Sequence, residues 1–179
     1  FTTIQEGWLA GNCPGLMQPL FLYHTTDGGA SWSQTELPAP EQLEDGALGD
    51  RCGIPQISRL SGPGVALTLR CFDFEEESSQ AWLYSSPDNG ASWQAQPLPE
   101  AAGVFTFLDE MVGWYLAADE SQPDADSRVY YTADGGASWS TLAQVDGQGQ
   151  PQIFFSDASN GWIVLGLSLI HISEPTRPY

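Results

Sequence analysis

One short pattern, present three times, restricts the fold of this chain more than any other feature. It reads Thr25-Thr26-Asp27-Gly28-Gly29-Ala30-Ser31-Trp32, then Ser86-Pro87-Asp88-Asn89-Gly90-Ala91-Ser92-Trp93, then Thr132-Ala133-Asp134-Gly135-Gly136-Ala137-Ser138-Trp139. Each copy is a tight chain reversal written out in side chains. The aspartate is placed to bond backbone N–H groups two residues on, as in an Asx-turn. The glycine supplies positive φ without steric penalty. The hydroxyls close the turn from either side, and the tryptophan then needs a neighbour to bury it. A second pattern recurs with it: Phe1 stands six before Gly7-Trp8, Phe107 six before Gly113-Trp114, and Phe155 six before Gly161-Trp162. Gly64-Val65 reads as a weaker copy, preceded by Pro55-Gln56-Ile57, which echoes Pro151-Gln152-Ile153. The glycines at 7, 64, 113 and 161 are 57, 49 and 48 residues apart. A period of about 40–50 residues is what a four-stranded repeat unit needs.

The strands inside a unit are short, apolar and bounded by turn residues. In the third unit, residues 103–107, 113–117, 128–132 and 138–142 read as strands A, B, C and D. Residues 20–24 and 81–84 read as strand C of the first and second units. The expectation is an all-β chain, a β-propeller fragment of about three four-stranded antiparallel blades plus the start of a fourth. The blades cover about 1–52, 53–102 and 103–150, with an incomplete one over 151–166. Because the chain opens on Phe1, an N-terminal segment is expected to be missing. The run Leu167-Ser168-Leu169-Ile170-His171-Ile172-Ser173-Glu174-Pro175-Thr176-Arg177 reads like the in-frame translation of a sequencing-library adaptor, so 167–179 is set apart as a non-native tail.

The repeated octapeptide resembles the Asp-box, or BNR repeat, of β-propellers. Together with the Phe-x(5)-Gly-Trp pattern, residues 1–166 are most similar to the photosystem II assembly and stability factor family and its bacterial relatives. The resemblance implies a structural role for Thr25, Asp27, Gly29, Ser31 and Trp32, for Ser86, Asp88, Gly90, Ser92 and Trp93, and for Thr132, Asp134, Gly136, Ser138 and Trp139. It also implies that functional groups lie on the opposite face. Propellers of this family close with six or more blades, which is why the chain reads as a fragment. The box speaks to fold rather than function, since sialidases, xyloglucanases and sortilin-type receptors also carry it.

The face opposite the boxes is formed by the B–C loops, 11–19, 71–80 and 118–127, and by the connection 38–53. These segments are acidic. One holds Asp73, Glu75, Glu76 and Glu77, another Asp119, Glu120, Asp124 and Asp126, and the connection Glu41, Glu44, Asp45 and Asp50. Short acidic runs are ordinarily solvated faces, and that reading is preferred. The sharper reading is a negative rim for a cationic segment of a partner protein or for a divalent cation. Residues 119–126 lack EF-hand spacing. With a formal net charge of -18 and no lysine at all, a nucleic-acid binder working through a basic face is excluded. An anionic membrane surface is disfavoured on the same ground, and no apolar run is long enough for a transmembrane helix.

Catalytic constellations are not apparent. A sialidase needs an arginine triad, and Arg51-Cys52-Gly53-Ile54-Pro55 is not that family's Arg-Ile-Pro signature. A xyloglucanase-like hydrolase needs two carboxylates facing a cleft, and no acid here has a distinctive setting. His24 has no companions for general-base or zinc chemistry and reads as a half-buried strand residue. The sequence therefore indicates no catalytic residue, no cofactor and no metal site. Of Cys13, Cys52 and Cys71, all on one rim, Cys52 and Cys71 are the most natural disulfide pair, with three free thiols the other possibility. A disulfide and the acidic composition fit an exported protein, periplasmic or extracellular. The expected function is a non-catalytic scaffold for protein–protein interaction or assembly. The alternative is a fragment of a glycoside hydrolase, sialidase- or xyloglucanase-like, with carbohydrate as its partner.

Overall fold

The computed structural model describes residues 3–11, 21–40, 48, 52–53, 55–60, 64–73, 76–117, 126–146, 151–165 and 168–173, with the backbone alone for Phe21, Arg59 and 168–173. All elements among these residues are strands, arranged in four antiparallel sheets of sequence-consecutive strands. Sheet 1 contains β1 (Gly7–Gly11), β2 (Phe21–Thr25) and β3 (Ser33–Thr35). Sheet 2 contains β4 (Gln56–Arg59), β5 (Val65–Asp73), β6 (Ser78–Ser86) and β7 (Gln94–Pro97). Sheet 3 contains β8 (Gly103–Phe107), β9 (Gly113–Ala117), β10 (Ser127–Thr132) and β11 (Ser140–Val145). Sheet 4 contains β12 (Gln152–Asp157), β13 (Asn160–Leu165) and β14 (Ser168–Ser173). The chain forms two compact units, Phe1–Leu98 and Pro99–Tyr179.

Strands β8 and β9 coincide with the expected strands A and B of the third unit. Strand β11 starts at Ser140 rather than at residue 138, because the Ser138 N–H is still held in the turn by Asp134 Oδ1 at 2.9 Å. The segment 71–80 differs more. It is mostly strand, with Cys71 opposite Gln80, Phe72 opposite Ser79 and Asp73 opposite Ser78. Alternation explains this: Leu67, Leu69 and Cys71 fall on one face and enter the core, so the strand continues as long as that face is buried. Residues 168–173, set apart as tail, pair along the whole of β13. An open strand edge is a template, and Leu-Ile-His-Ile has the apolar, β-branched character that fits one.

The second unit's repeat sits one residue from where the sequence puts it. Val65, not Gly64, lies opposite Arg59 of strand A, in the register place that Gly113 holds opposite Phe107 and Gly161 opposite Phe155. In sheets 3 and 4 the facing residue is a phenylalanine lying on the glycine. A Cβ on Gly113 would stand 2.6 Å from Phe107 Cδ1, and one on Gly161 equally close to Phe155. In sheet 2 the same place is held by Arg59, so no aromatic ring demands a glycine there. The Pro-Gln-Ile echo already agrees with this register, since Ile57 precedes Val65 by as many residues as Ile153 precedes Gly161.

Among the described residues, each unit has a core between its two sheets. In the first, Leu22, Leu67, Leu69, Trp82, Tyr84 and the Cys52–Cys71 pair are buried, with Trp8 and Trp93 against them. In the second, Trp114, Leu116 and Val129 of sheet 3 pack on Phe155, Ile163 and Leu165 of sheet 4. The Trp114 and Phe155 rings stack there, with centroids 3.7 Å apart.

Candidate functional site

The three repeated turns share one hydrogen-bond scheme. Asp134 Oδ1 accepts from Thr132 Oγ1 (2.8 Å) and from the Ser138 N–H (2.9 Å), and Oδ2 accepts from Ser138 Oγ (2.6 Å). Thr132 Oγ1 in turn accepts from the Gly136 N–H at 2.9 Å. Asp27 repeats this with Thr25 and Ser31, and Asp88 with Ser86 and Ser92. The aspartate thus reaches a residue four positions on, not two. Two successive positive-φ residues curl the chain far enough: Gly28 and Gly29, Asn89 and Gly90, Gly135 and Gly136. Each turn is also tied to its own sheet in the first and third copies. Gly28 N–H donates to Gln5 O (2.7 Å), and Gly135 N–H to Met111 O (2.9 Å).

Both carboxylate oxygens of each aspartate are committed to these turns. The bonds to Ser31 lower the Asp27 carboxyl to about 2, and those to Ser138 do the same for Asp134. Asp88 is lowered by Ser92. The folded carboxylate is therefore harder to protonate than the unfolded one. The turns contribute fully above about pH 5, weaken as pH falls through the ordinary aspartate range, and are lost below about pH 2. Acid titration of the melting temperature should show a decline confined to that interval. An Asp27→Asn/Asp134→Asn protein should start lower and decline less steeply. Parallel curves for the two proteins would show that these carboxylates do not drive the acid transition.

The other end of sheet 2 has a different character. Cys52 forms an isolated antiparallel bridge with Cys71, with Cα atoms 3.9 Å apart and the sulfurs bonded. The Gly53 N–H donates to Arg70 O at 2.8 Å, so the strand-like contact continues past the cysteines. Beside the disulfide, Phe72, Asp73, Glu76, Trp82 and Pro97 line an open groove of about 490 Å³. Asp73 caps the hairpin by accepting from the Glu76 N–H (3.1 Å), and Arg70 donates to Ser79 Oγ (3.1 Å). Glu76 and Glu77 are exposed.

Of the rim acids named from the sequence, Asp73, Glu76 and Glu77 come together at this hairpin. Asp126 is exposed just before β10, in the other unit. Glu75, Asp119, Glu120 and Asp124 lie outside the described residues, as do Cys13, Glu41, Glu44, Asp45 and Asp50. Sequence reasoning did not single out Phe72, which is 38% exposed on the groove. Its signal was the alternation through Leu69, Cys71 and Asp73, which places Phe72 on the outer face. Glu100 was also missed. Its carboxylate accepts from Arg128 and from Tyr130 OH (2.9 Å), while its carbonyl accepts from Tyr115 OH (2.9 Å). These bonds pin the segment before β8 onto β9 and β10. Tyr84 does the same in the first unit, donating to Pro38 O at 2.9 Å, and burial pushes its phenol up. His24 stacks on Trp8 with ring centroids 4.2 Å apart. Among the described residues no cluster of His, Cys, Asp and Glu is placed to hold a metal ion, and no helix is long and apolar enough to cross a membrane.

No family model matches the chain. Photosystem II assembly lipoprotein Ycf48 of Synechococcus sp. (strain CC9902) is 25% identical over 175 residues, covering 95% of this chain and 43% of that protein. The solved structure of YCF48 bound to D1 peptide matches with a TM-score of 0.52 and 17% identity, over 97% of this chain and 51% of that one. The chain thus spans about half the length of the relatives it matches. The repeated turns, the sheets of consecutive antiparallel strands and these two likenesses agree: the chain is similar to the Ycf48 photosystem II assembly proteins and has a β-propeller fold.

Proposed function

We propose that this chain is a non-catalytic propeller scaffold that binds a peptide segment of a partner protein in an assembly process outside the cytoplasm. The observation that carries the reading is its likeness to Ycf48, an assembly lipoprotein whose relative has been solved with a D1 peptide. The groove beside the disulfide supports a peptide as occupant. It offers apolar surface from Phe72 next to the carboxylates of Asp73 and Glu76, with the buried Trp82 behind it. An extended segment carrying a cationic residue beside an apolar one matches that combination. The buried Cys52–Cys71 disulfide and the lipoprotein relative support an oxidising, exported setting. The repeated aspartates serve as turn locks, both oxygens of each accepting hydrogen bonds within its own turn.

Titration of the protein with a short fluorescent peptide bearing two arginines beside a leucine tests the site. Binding should weaken about two- to fivefold for Asp73→Asn and for Glu76→Gln, as expected of exposed ion pairs. It should weaken further as salt rises. Asn at 73 keeps the oxygen that caps the hairpin, so the fold is preserved. Equal affinity for an all-acidic peptide, or no response to either substitution, would remove the groove as the peptide site.

A further inference from the structure

Sheet 2 differs from sheet 3 in how far its outer strand reaches. In sheet 3, β11 pairs with β10 as far as Ser127, the first residue of that strand. In sheet 2, β7 pairs with β6 only over Trp82–Ser85, although β6 begins at Ser78. The hairpin of β5 and β6 therefore runs on past its outer neighbour. The sequence explains where β7 stops. Pro97 has no N–H, Leu98 is buried, and a second proline, Pro99, follows. The last contact is the Leu98 N–H donating to Ala81 O at 2.8 Å. The Gln80 side chain closes that end, donating to Leu98 O at 3.0 Å and to Ala81 O at 2.8 Å.

Strand alternation shows what this overhang presents. In an antiparallel ladder the backbone groups of one residue point to one side and those of the next residue to the other. Ala81 O faces outward, away from β5, to meet Leu98. Arg70, opposite Ala81, faces outward on the far side of the hairpin, where its O accepts from the Gly53 N–H at 2.8 Å. Two residues on, Ser79 and Phe72, again opposite each other, face outward in the same way. The N–H and C=O of Ser79 thus point to the side of β6 that β7 does not reach, and among the described residues no backbone group meets them. Ser78, Ser79, Gln80 and Pro97 line the groove beside the disulfide, so the groove follows this strand edge, with Asp73 and Glu76 towards the hairpin end.

We propose that the partner segment binds by strand addition: it lies extended in the groove, antiparallel to β6, and exchanges backbone hydrogen bonds with Ser79. This rests on the groove being the peptide site and adds how the peptide is held. An added strand takes its affinity from main-chain bonds and its selectivity from alternate side chains. A residue opposite Ser79 shares a face with Phe72, and the next one, opposite Ser78, shares a face with Asp73. An apolar residue followed by a cationic one is the order that fits. A helical segment does not fit, because its backbone groups are bonded within itself. A second copy of this chain is a poor occupant, since pairing two such edges brings the same carboxylates together.

Titration of the full chain with two versions of the fluorescent peptide, its leucine placed before the two arginines, tests this. The two are N-methylated on alternate amides in complementary patterns. An added strand turns every second N–H towards β6, so one pattern should bind about tenfold more weakly and the other within about twofold of the unmethylated peptide. On the protein side, Ser79→Pro removes the donor while leaving the pairing with β5, because that N–H points away from it. It should weaken binding about three- to tenfold. Urea unfolding shows whether this variant keeps its fold; where it does not, the methylated peptides decide alone. Equal affinity of the two methylated peptides overturns strand addition. The groove then still stands as the site if Asp73→Asn and Glu76→Gln weaken the unmethylated peptide. An unmethylated peptide that does not bind at all removes the groove as the site, and this proposal with it.

Discussion

Gly90→Ala is expected to destabilise the protein by about 2–5 kcal/mol. Left-handed backbone costs an alanine roughly 1–2 kcal/mol, and Gly90 has φ +85°. The added methyl would also drive into Trp8, whose Cζ2 lies 2.6 Å from where it would stand. Overpacking of that kind costs about 1–3 kcal/mol. Trp8 cannot retreat easily, because His24 is stacked on it and Trp93 stands at its edge. The control is Gly28→Asn. Gly28 has φ +75° with only Ile4 O near, at 3.4 Å, and the matching place in the second turn is already held by Asn89 at φ 55°. That change should stay within about 0.5 kcal/mol. Urea unfolding of the two variants, with Trp8→Ala and Trp8→Ala/Gly90→Ala to measure coupling, decides the matter. A Gly90→Ala protein as stable as Gly28→Asn would mean that the tryptophan does not rest on the turn.

Loss of the Cys52–Cys71 link is expected to destabilise by about 3 kcal/mol, the loop entropy for a sequence separation of 19. Both cysteines belong to the first unit's core, so alanine at each leaves little empty volume. The Cys52→Ala/Cys71→Ala protein and the reduced parent should unfold at the same lower denaturant concentration. Cys13→Ala should leave the oxidised protein unchanged. Should reduction leave the midpoint where it was, the two sulfurs are not bonded in the folded chain. Should Cys13→Ala also lower the midpoint, the pairing is a different one.

The turns and much of the third unit were legible because their determinants are local. Asp134, its two hydroxyl partners and its glycines lie within a few residues, and their bonds close inside that stretch. Bounds of β8 and β9 followed from the Phe-Gly pairing at a spacing of six. The groove was not legible as a site, since the loop expected over 71–80 is a hairpin and its exposed aromatic is counted among ordinary strand residues. The Glu100 clamp was invisible for a related reason. Its partners Tyr115, Arg128 and Tyr130 are separated from it in sequence and brought together only by pairing of β9 with β10.

Taken alone, the sequence determined the all-β class, the repeat unit, the three turns and the acidic surface, because each depends on residues close in the chain or on composition. Tertiary structure decided the rest. The register at Val65 depends on which residue faces it, Arg59 rather than phenylalanine. The extent of β5 and β6 depends on a core face that stays buried as far as Cys71. Leu9 and Leu67 occupy one place in the repeat and are chemically the same, yet one is 55% exposed and the other 0%. Burial belongs to what packs on a face, and no local pattern carries that information.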